Sequence, residues 1–179
     1  MKYKIFGIGL SRTGTTTLTN ILNKVGYNII HYPSNKIQLF SNANDGCTDI
    51  PVILHYKELY KTFPNAKFVY TIRNKEEWLN SIVPYLERKR TWKEMSGSHQ
   101  EQVRTKIYGY AFPTRQQASN AWDKHHNSVM KFFNNKQDKL LVLDIVGGDN
   151  TNKLWKFLDM NNSNLPKEFP HSNKLGLGK

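Results

Sequence analysis

The stretch Ile5-Phe6-Gly7-Ile8-Gly9-Leu10-Ser11-Arg12-Thr13-Gly14-Thr15-Thr16-Thr17-Leu18 decides how the rest of the chain is read. Tyr3, Ile5, Phe6 and Ile8 form a short apolar, β-favouring run. It ends in glycines rather than polar turn residues, as a central parallel strand does when it feeds a loop. Gly14 closes the loop. Beyond it Leu18, Ile21, Leu22 and Val25 recur at i, i+3, i+4 and i+7, which predicts an amphipathic helix ending at Gly26. The N-terminus of that helix directs unsatisfied N–H groups and the positive end of its dipole at the loop, a place that binds phosphate.

The loop departs from the nucleotide-hydrolase pattern G-x-x-x-x-G-K-[ST] at one position: Thr15 stands where lysine would reach the β- and γ-phosphates. Its only cation is Arg12, whose planar guanidinium can grip two oxygens at once. Ser11, Thr13, Thr15, Thr16 and Thr17 supply hydroxyls, and Gly14 the turn. The other reading of such a loop is a plain strand-turn-helix whose glycines serve only the turn.

At 179 residues the chain has the length of one α/β domain, and no internal repeat or low-complexity linker divides it. Cys47 is the single cysteine, so there is no disulfide framework. No apolar run approaches a membrane span, and the first strand begins so close to Met1 that no signal peptide is expected. A cytoplasmic setting follows. The net charge of +12 suggests a polyanionic partner. The basic residues are spread over the chain, however, with no zinc-finger spacing, heptad or aromatic RNA-binding signature, so nucleic acid is not expected. A small anionic ligand at the loop fits better.

Further along, Asn28–Tyr32 reads as a short strand with His31 at its far end, followed by a polar stretch to Asp49. Val52, Tyr56, Leu59, Tyr60 and Phe63 line one helical face, which puts Asp49 at N-cap distance. Lys67–Ile72 is a buried strand that delivers Arg73 to the rim where open α/β sheets bind ligands. A Walker-type hydrolase often carries a metal-holding acid there, and an arginine argues for an anion instead. Glu76, Glu77 and Trp78 begin a helix that passes through Ser81, Ile82 and Tyr85. The stretch 86–112 is charged and irregular in pattern, an insert of the kind that often forms a lid or a substrate-facing element. A long helix follows Pro113, with His125 on its apolar stripe as a core or boundary residue and no metal-ligand company for His125-His126. Leu140–Leu143 is a last buried strand and Leu154, Trp155, Phe157 and Leu158 a short helix. The alternation predicts a single-domain, three-layer open parallel α/β sheet with flanking helices, of P-loop type.

With the loop, Arg73 and Ser81 in place, the sequence resembles the sulfotransferases that use 3′-phosphoadenosine 5′-phosphosulfate (PAPS). It is most similar to the branch whose first loop reads G-x-G-x-x-R-T-G-T-T. Three stretches carry the resemblance: Gly7–Leu18, Phe63-Pro64-Asn65-Ala66-Lys67 through Ser81, and Phe169-Pro170-His171-Ser172-Asn173. Asp49-Ile50-Pro51 is also similar to that branch. Arg73 and Ser81, eight residues apart with Trp78 between them, form the most specific element.

The resemblance implies that Arg12, Thr13, Gly14, Thr15 and Thr16 hold the 5′-phosphate and sulfuryl group, with Ser11 and Thr17 in the same loop, and that Arg73 and Ser81 hold the 3′-phosphate. It implies 3′-phosphoadenosine 5′-phosphate (PAP) as product and no metal requirement. Arg12 matches the family's usual catalytic lysine but does not readily give up a proton. For the base that activates the acceptor hydroxyl or amine, Asp49 ranks first, His31 second and His55 third. The family's arginine-lysine-glycine tail signature is absent, leaving Lys174 and Lys179 as weak substitutes. Tyr85, Arg88, Arg90, Trp92, Tyr108, Tyr110 and Phe112 would give the insert an aromatic and basic wall suited to a sugar or an anionic acceptor, so the expected partner is a small-molecule or glycan acceptor. Two other readings stay open: a P-loop small-molecule kinase, and a non-catalytic nucleotide- or polyanion-binding protein.

Overall fold

Ile5 and Phe6 are neighbours in sequence and face opposite sides of one sheet. Ile5 packs with Leu18, Ile21, Leu22, Val69, Leu143, Leu154 and Trp155. Phe6 packs with Val52, Tyr56, Leu59, Phe68, Tyr70, Trp78 and Phe133. Both faces of the central strands are therefore apolar, which is why these strands read as continuous hydrophobic runs and not as an alternation.

The structure is a computed structural model that describes residues 2–90 and 97–170, the side chain of Arg90 excepted. Five parallel strands, β1 (Ile5–Gly7), β2 (Ile29–His31), β3 (Gly46–Thr48), β4 (Lys67–Thr71) and β5 (Leu140–Leu143), lie in the order β2-β3-β1-β4-β5. Helices α1 (Thr15–Lys24) and α8 (Thr151–Phe157) carry the apolar residues on the Ile5 face. The Phe6 face is covered by α2 (Lys36–Phe40), α3 (Ile50–Ile53), α4 (Tyr56–Thr62), α5 (Lys75–Arg90), α6 (His99–Tyr108) and α7 (Arg115–Phe133). The three-layer parallel α/β architecture expected from the sequence is the one found.

Strand β3 is the element the sequence conceals. Gly46-Cys47-Thr48 has one apolar residue, yet all three are buried because β1 and β2 enclose them. Gly46 is required there: its φ is 142°, and a Cβ would stand 1.8 Å from the Ile5 carbonyl oxygen. Gly46→Ala should therefore lower stability by about 2 kcal/mol, measured as a shift in the urea midpoint.

Two helical expectations need correction. The face from Val52 to Phe63 is not one helix but two, α3 and α4. Val52 N donates to Asp49 O and His55 N to Val52 O, tighter i to i−3 bonds, before Leu59 N to His55 O resumes the α pattern. The stretch 86–112 is not irregular where it is described. α5 runs through Pro84 to Arg90, and α6 is capped by Ser98, whose side chain accepts from Glu101 N, and by Gly109 in the left-handed region. The apolar stripe of α6 is blunted because Arg104 points inward and is 3% exposed.

Helix α7 starts at a capping box in which Thr114 and Gln117 satisfy each other's backbone. His125 on its inner face is a core histidine, as expected: Nε2 donates to Ile8 O at 2.7 Å. Burial pulls its pKa from 6.5 to about 4, with the Ile8 bond opposing and His126 adding to the shift. The folded state keeps His125 neutral while the unfolded chain protonates below 6.5, so the unfolded state binds more protons between the two values and stability falls as pH drops through that window. The loss should approach about 3 kcal/mol near pH 4. His125→Gln, which keeps an N–H donor for Ile8 but does not titrate, should flatten the dependence of Tm on pH in this range.

Candidate active site

The loop after β1 is held from beneath. Ile8 N donates to Val69 O at 2.9 Å, and Gly9 lies so close to β4 that a Cβ would stand 1.9 Å from Thr71 Oγ1. Thr13 is fully buried. Its hydroxyl donates to Leu10 O at 2.7 Å and pairs with Thr71 Oγ1 at 2.7 Å. Of the loop residues expected to hold the ligand, Thr13 thus has its side chain turned into the fold, where it fixes the loop, while Ser11, Arg12, Gly14, Thr15, Thr16 and Thr17 line the cleft. Trp78 Nε1 donates to Ser11 O at 2.9 Å and ties the loop to α5.

Gly14 occupies the N-cap of α1 with φ 102° and provides no capping side chain. The first-turn N–H groups of α1 therefore keep their donors for an anion. Arg12, also in the left-handed region at φ 73°, swings its side chain across to α5. Its Nε donates to Ser81 Oγ at 3.1 Å, and the guanidinium lies 5.3 Å from the centre of the Tyr85 ring. Burial pulls the Arg12 pKa below its usual value. Tyr85 opposes that shift, and the positive charges of Arg73 and Arg88 add to it.

Arg73 stands at the C-terminal end of β4, where Nε donates to Glu77 Oε2 at 3.3 Å. Arg12, Ser81 and Arg73 line one cleft of about 950 Å³ with the N-terminus of α1. The sequence did not disclose that Arg12 and Ser81 touch. The far wall is made by Ile145, Val146 and Gly148 from the turn after β5, which the sequence did not mark, and by Lys167 to Pro170 from the tail. That tail is pinned by Thr151 Oγ1 and Trp155 Nε1, which both donate to Pro166 O. His171 to Asn173, Lys174, Lys179 and Trp92 lie outside the described residues.

Asp49 is at the N-cap position of α3 but makes no side-chain cap bond, so the helix-capping reading of this residue is corrected. Its backbone is strained at φ 80°, and its carboxylate faces the loop. Oδ1 accepts from Ser11 Oγ at 2.9 Å, and Oδ2 is 3.5 Å from His31 Nε2. His31 Nε2 is also 3.2 Å from Thr16 Oγ1, and Nδ1 is 3.1 Å from Thr48 Oγ1. The two base candidates that the sequence ranked separately are one pair beside the loop. His55 lies elsewhere, with Nδ1 3.3 Å from Glu58 Oε2 and its ring against Phe40. Two of the four non-glycine residues with positive φ among those described, Arg12 and Asp49, line this cleft, and strain of this kind is typical of functional sites. Among the described residues no group of three or more histidine, cysteine, aspartate or glutamate side chains is placed to hold a metal ion.

Fold and cleft together define an α/β protein with an uncapped helix N-terminus, two arginines and a histidine–carboxylate pair around one opening at the C-terminal edge of a parallel sheet. The chain belongs to the sulfotransferase family, since residues 34–176 match the family model described as Sulfotransferase domain. That match begins beyond the Gly9–Thr17 loop, so loop and family match are separate observations. The crystal structure of a sulfotransferase from Alicyclobacillus acidocaldarius shares the fold, with a TM-score of 0.58 at 12% identity over 97% of this chain and 87% of that one. A search of curated proteins finds no match. Among the described residues no helix is long and apolar enough to cross a membrane.

Proposed function

We propose that the chain transfers a sulfuryl group from PAPS to a hydroxyl or amine of an acceptor. The observation that carries this reading is the sharing of one cleft by Arg12, Ser81, Arg73 and the open end of α1. The 5′-phosphosulfate sits on the α1 N-terminus against Arg12, and the 3′-phosphate on Arg73 and Ser81. As the acceptor oxygen bonds to sulfur, the bond from sulfur to the 5′-phosphate oxygen breaks and negative charge grows on that oxygen. Arg12 and the α1 N–H groups stabilise this charge more in the transition state than in the ground state. Arg12 does so as a permanent charge, without donating its proton to the leaving PAP.

The acceptor proton goes to Asp49, whose Oδ1 is fixed by Ser11 and whose Oδ2 faces His31. Asp49→Asn should lower the rate of acceptor sulfation by about 100-fold or more and leave PAP binding within about twofold of the parent. PAP release measured with a panel of hydroxyl and amine acceptors tests the first part, and calorimetry with PAP the second. Thermal shifts with PAP, AMP and Mg·ATP test the donor. PAP should stabilise most, whereas magnesium-dependent ATP turnover would point to a kinase and overturn the proposal.

A further inference from the structure

Three buried polar atoms among the described residues have no hydrogen-bond partner: Tyr32 Oη, Arg104 Nη1 and Tyr108 Oη. They are not scattered. Arg104 and Asp49 both act electrostatically on each of the two phenols, and so does Tyr85. Burial pushes the Tyr32 phenol up to about 12 and raises that of Tyr108 further, with the charge of Asp49 adding and that of Arg104 opposing. His31, Asp49 and Tyr85 line the donor cleft while Tyr32, Arg104 and Tyr108 do not, and the chain passes from His31 straight into Tyr32, so the cluster lies on the inner side of the wall that carries the proposed base.

Each side chain is placed by a feature with a local cost. Tyr32 follows His31 in a left-handed conformation at φ 56°, and its ring meets the edge of His99 in α6. Arg104 and Tyr108, one turn apart on α6, turn inward and are 3% and 5% exposed. None of the ion pairs among the described residues includes Arg104. A buried guanidinium with an idle N–H and two phenols whose buried hydroxyls are idle are unfavourable in a folded chain unless something offsets them. The group that would satisfy all three is a planar anion that accepts from the guanidinium edge and from both O–H donors.

We propose that Arg104, Tyr32 and Tyr108 form the acceptor's recognition site, and that the acceptor is a hydroxyl compound bearing a carboxylate. Its carboxylate seats among these three side chains while its hydroxyl lies at Asp49 and His31. The inference rests on the PAPS-dependent reading and extends it to the acceptor class. Entry from the cleft requires Tyr85 or α6 to give way by the width of a carboxylate. A neutral isostere loses the charge-assisted bonds to Arg104 and leaves its donors idle, which is the chemistry that gives a site strong discrimination.

The test uses matched pairs: 4-hydroxybenzoate, 4-hydroxyphenylacetate and glucuronate, each against its amide, titrated by calorimetry into the PAP-saturated protein. At least one carboxylate should bind about tenfold or more tighter than its amide. Arg104→Gln should abolish the preference. Tyr108→Phe, which keeps the shape of the side chain, should weaken the carboxylate about three- to tenfold, leave the amide unchanged, and raise the Tm of the protein alone by removing an idle buried hydroxyl. A purely structural role for Tyr108 predicts a lower Tm. Equal binding of every pair, or a preference that survives both substitutions, overturns the proposal. Failure of the donor reading shows separately as absence of PAP binding, and the same pairs titrated into the protein without nucleotide then decide the role of Arg104.

Discussion

Arg12→Ala is expected to lower the rate of sulfuryl transfer by about 100- to 1000-fold, the range found when a preorganised donor to developing negative charge is removed. Arg12 is the one cation of the loop that leads into the open end of α1, and its position is fixed by three things: a left-handed backbone, the bond to Ser81 and the face of Tyr85. Lysine should restore little of the loss, because one ammonium cannot take over the Nε bond to Ser81, the place over the Tyr85 ring and the contact with the phosphosulfate together. The measurement is single-turnover PAP formation at saturating donor, so that binding and chemistry are separated. A variant that retains the parent rate would remove Arg12 from the chemistry.

Arg73→Ala is expected to weaken PAP by about 100-fold while 5′-AMP, which lacks the 3′-phosphate, weakens by less than about threefold. The contrast between the two nucleotides is the informative quantity, since a general loss of structure would weaken both. Arg73 is half-buried at the end of β4, and it pairs with Glu77 of the helix that follows, an exposed carboxylate whose release to solvent costs little. An incoming 3′-phosphate can therefore take over the guanidinium.

Much of this arrangement is readable before folding, and the reasons are local. In β1, the loop and α1, three signals agree: a short apolar run, glycines where the backbone turns and approaches β4, and an apolar stripe at helical spacing. Arg73 is legible for the same reason, because a buried strand announces where it ends. What stays hidden depends on pairing. β3 is three residues of which one is apolar, and its burial is conferred by β1 and β2. Without β3 the register that sets His31 opposite Thr48, and so brings Asp49 to His31, cannot be drawn. Residue preference instead makes Asp49 a helix cap, whereas the strained backbone turns its carboxylate to the loop. The contact between Arg12 and Ser81 spans 69 positions and leaves no periodic trace. α6 is hidden by its own chemistry, since the inward-facing Arg104 breaks the stripe that would have marked the helix.

The central claim is that Arg12 and Arg73 clasp the two ends of one adenosine phosphorylated at both its 3′ and 5′ oxygens. A crystal structure of the chain with PAP tests it most directly. The expected result is a single nucleotide with its 5′-phosphate on the first-turn N–H groups of α1 beside Arg12 and its 3′-phosphate in ion-pair contact with Arg73. A 3′-phosphate that faces solvent, or a nucleotide bound away from the loop between β1 and α1, would contradict it.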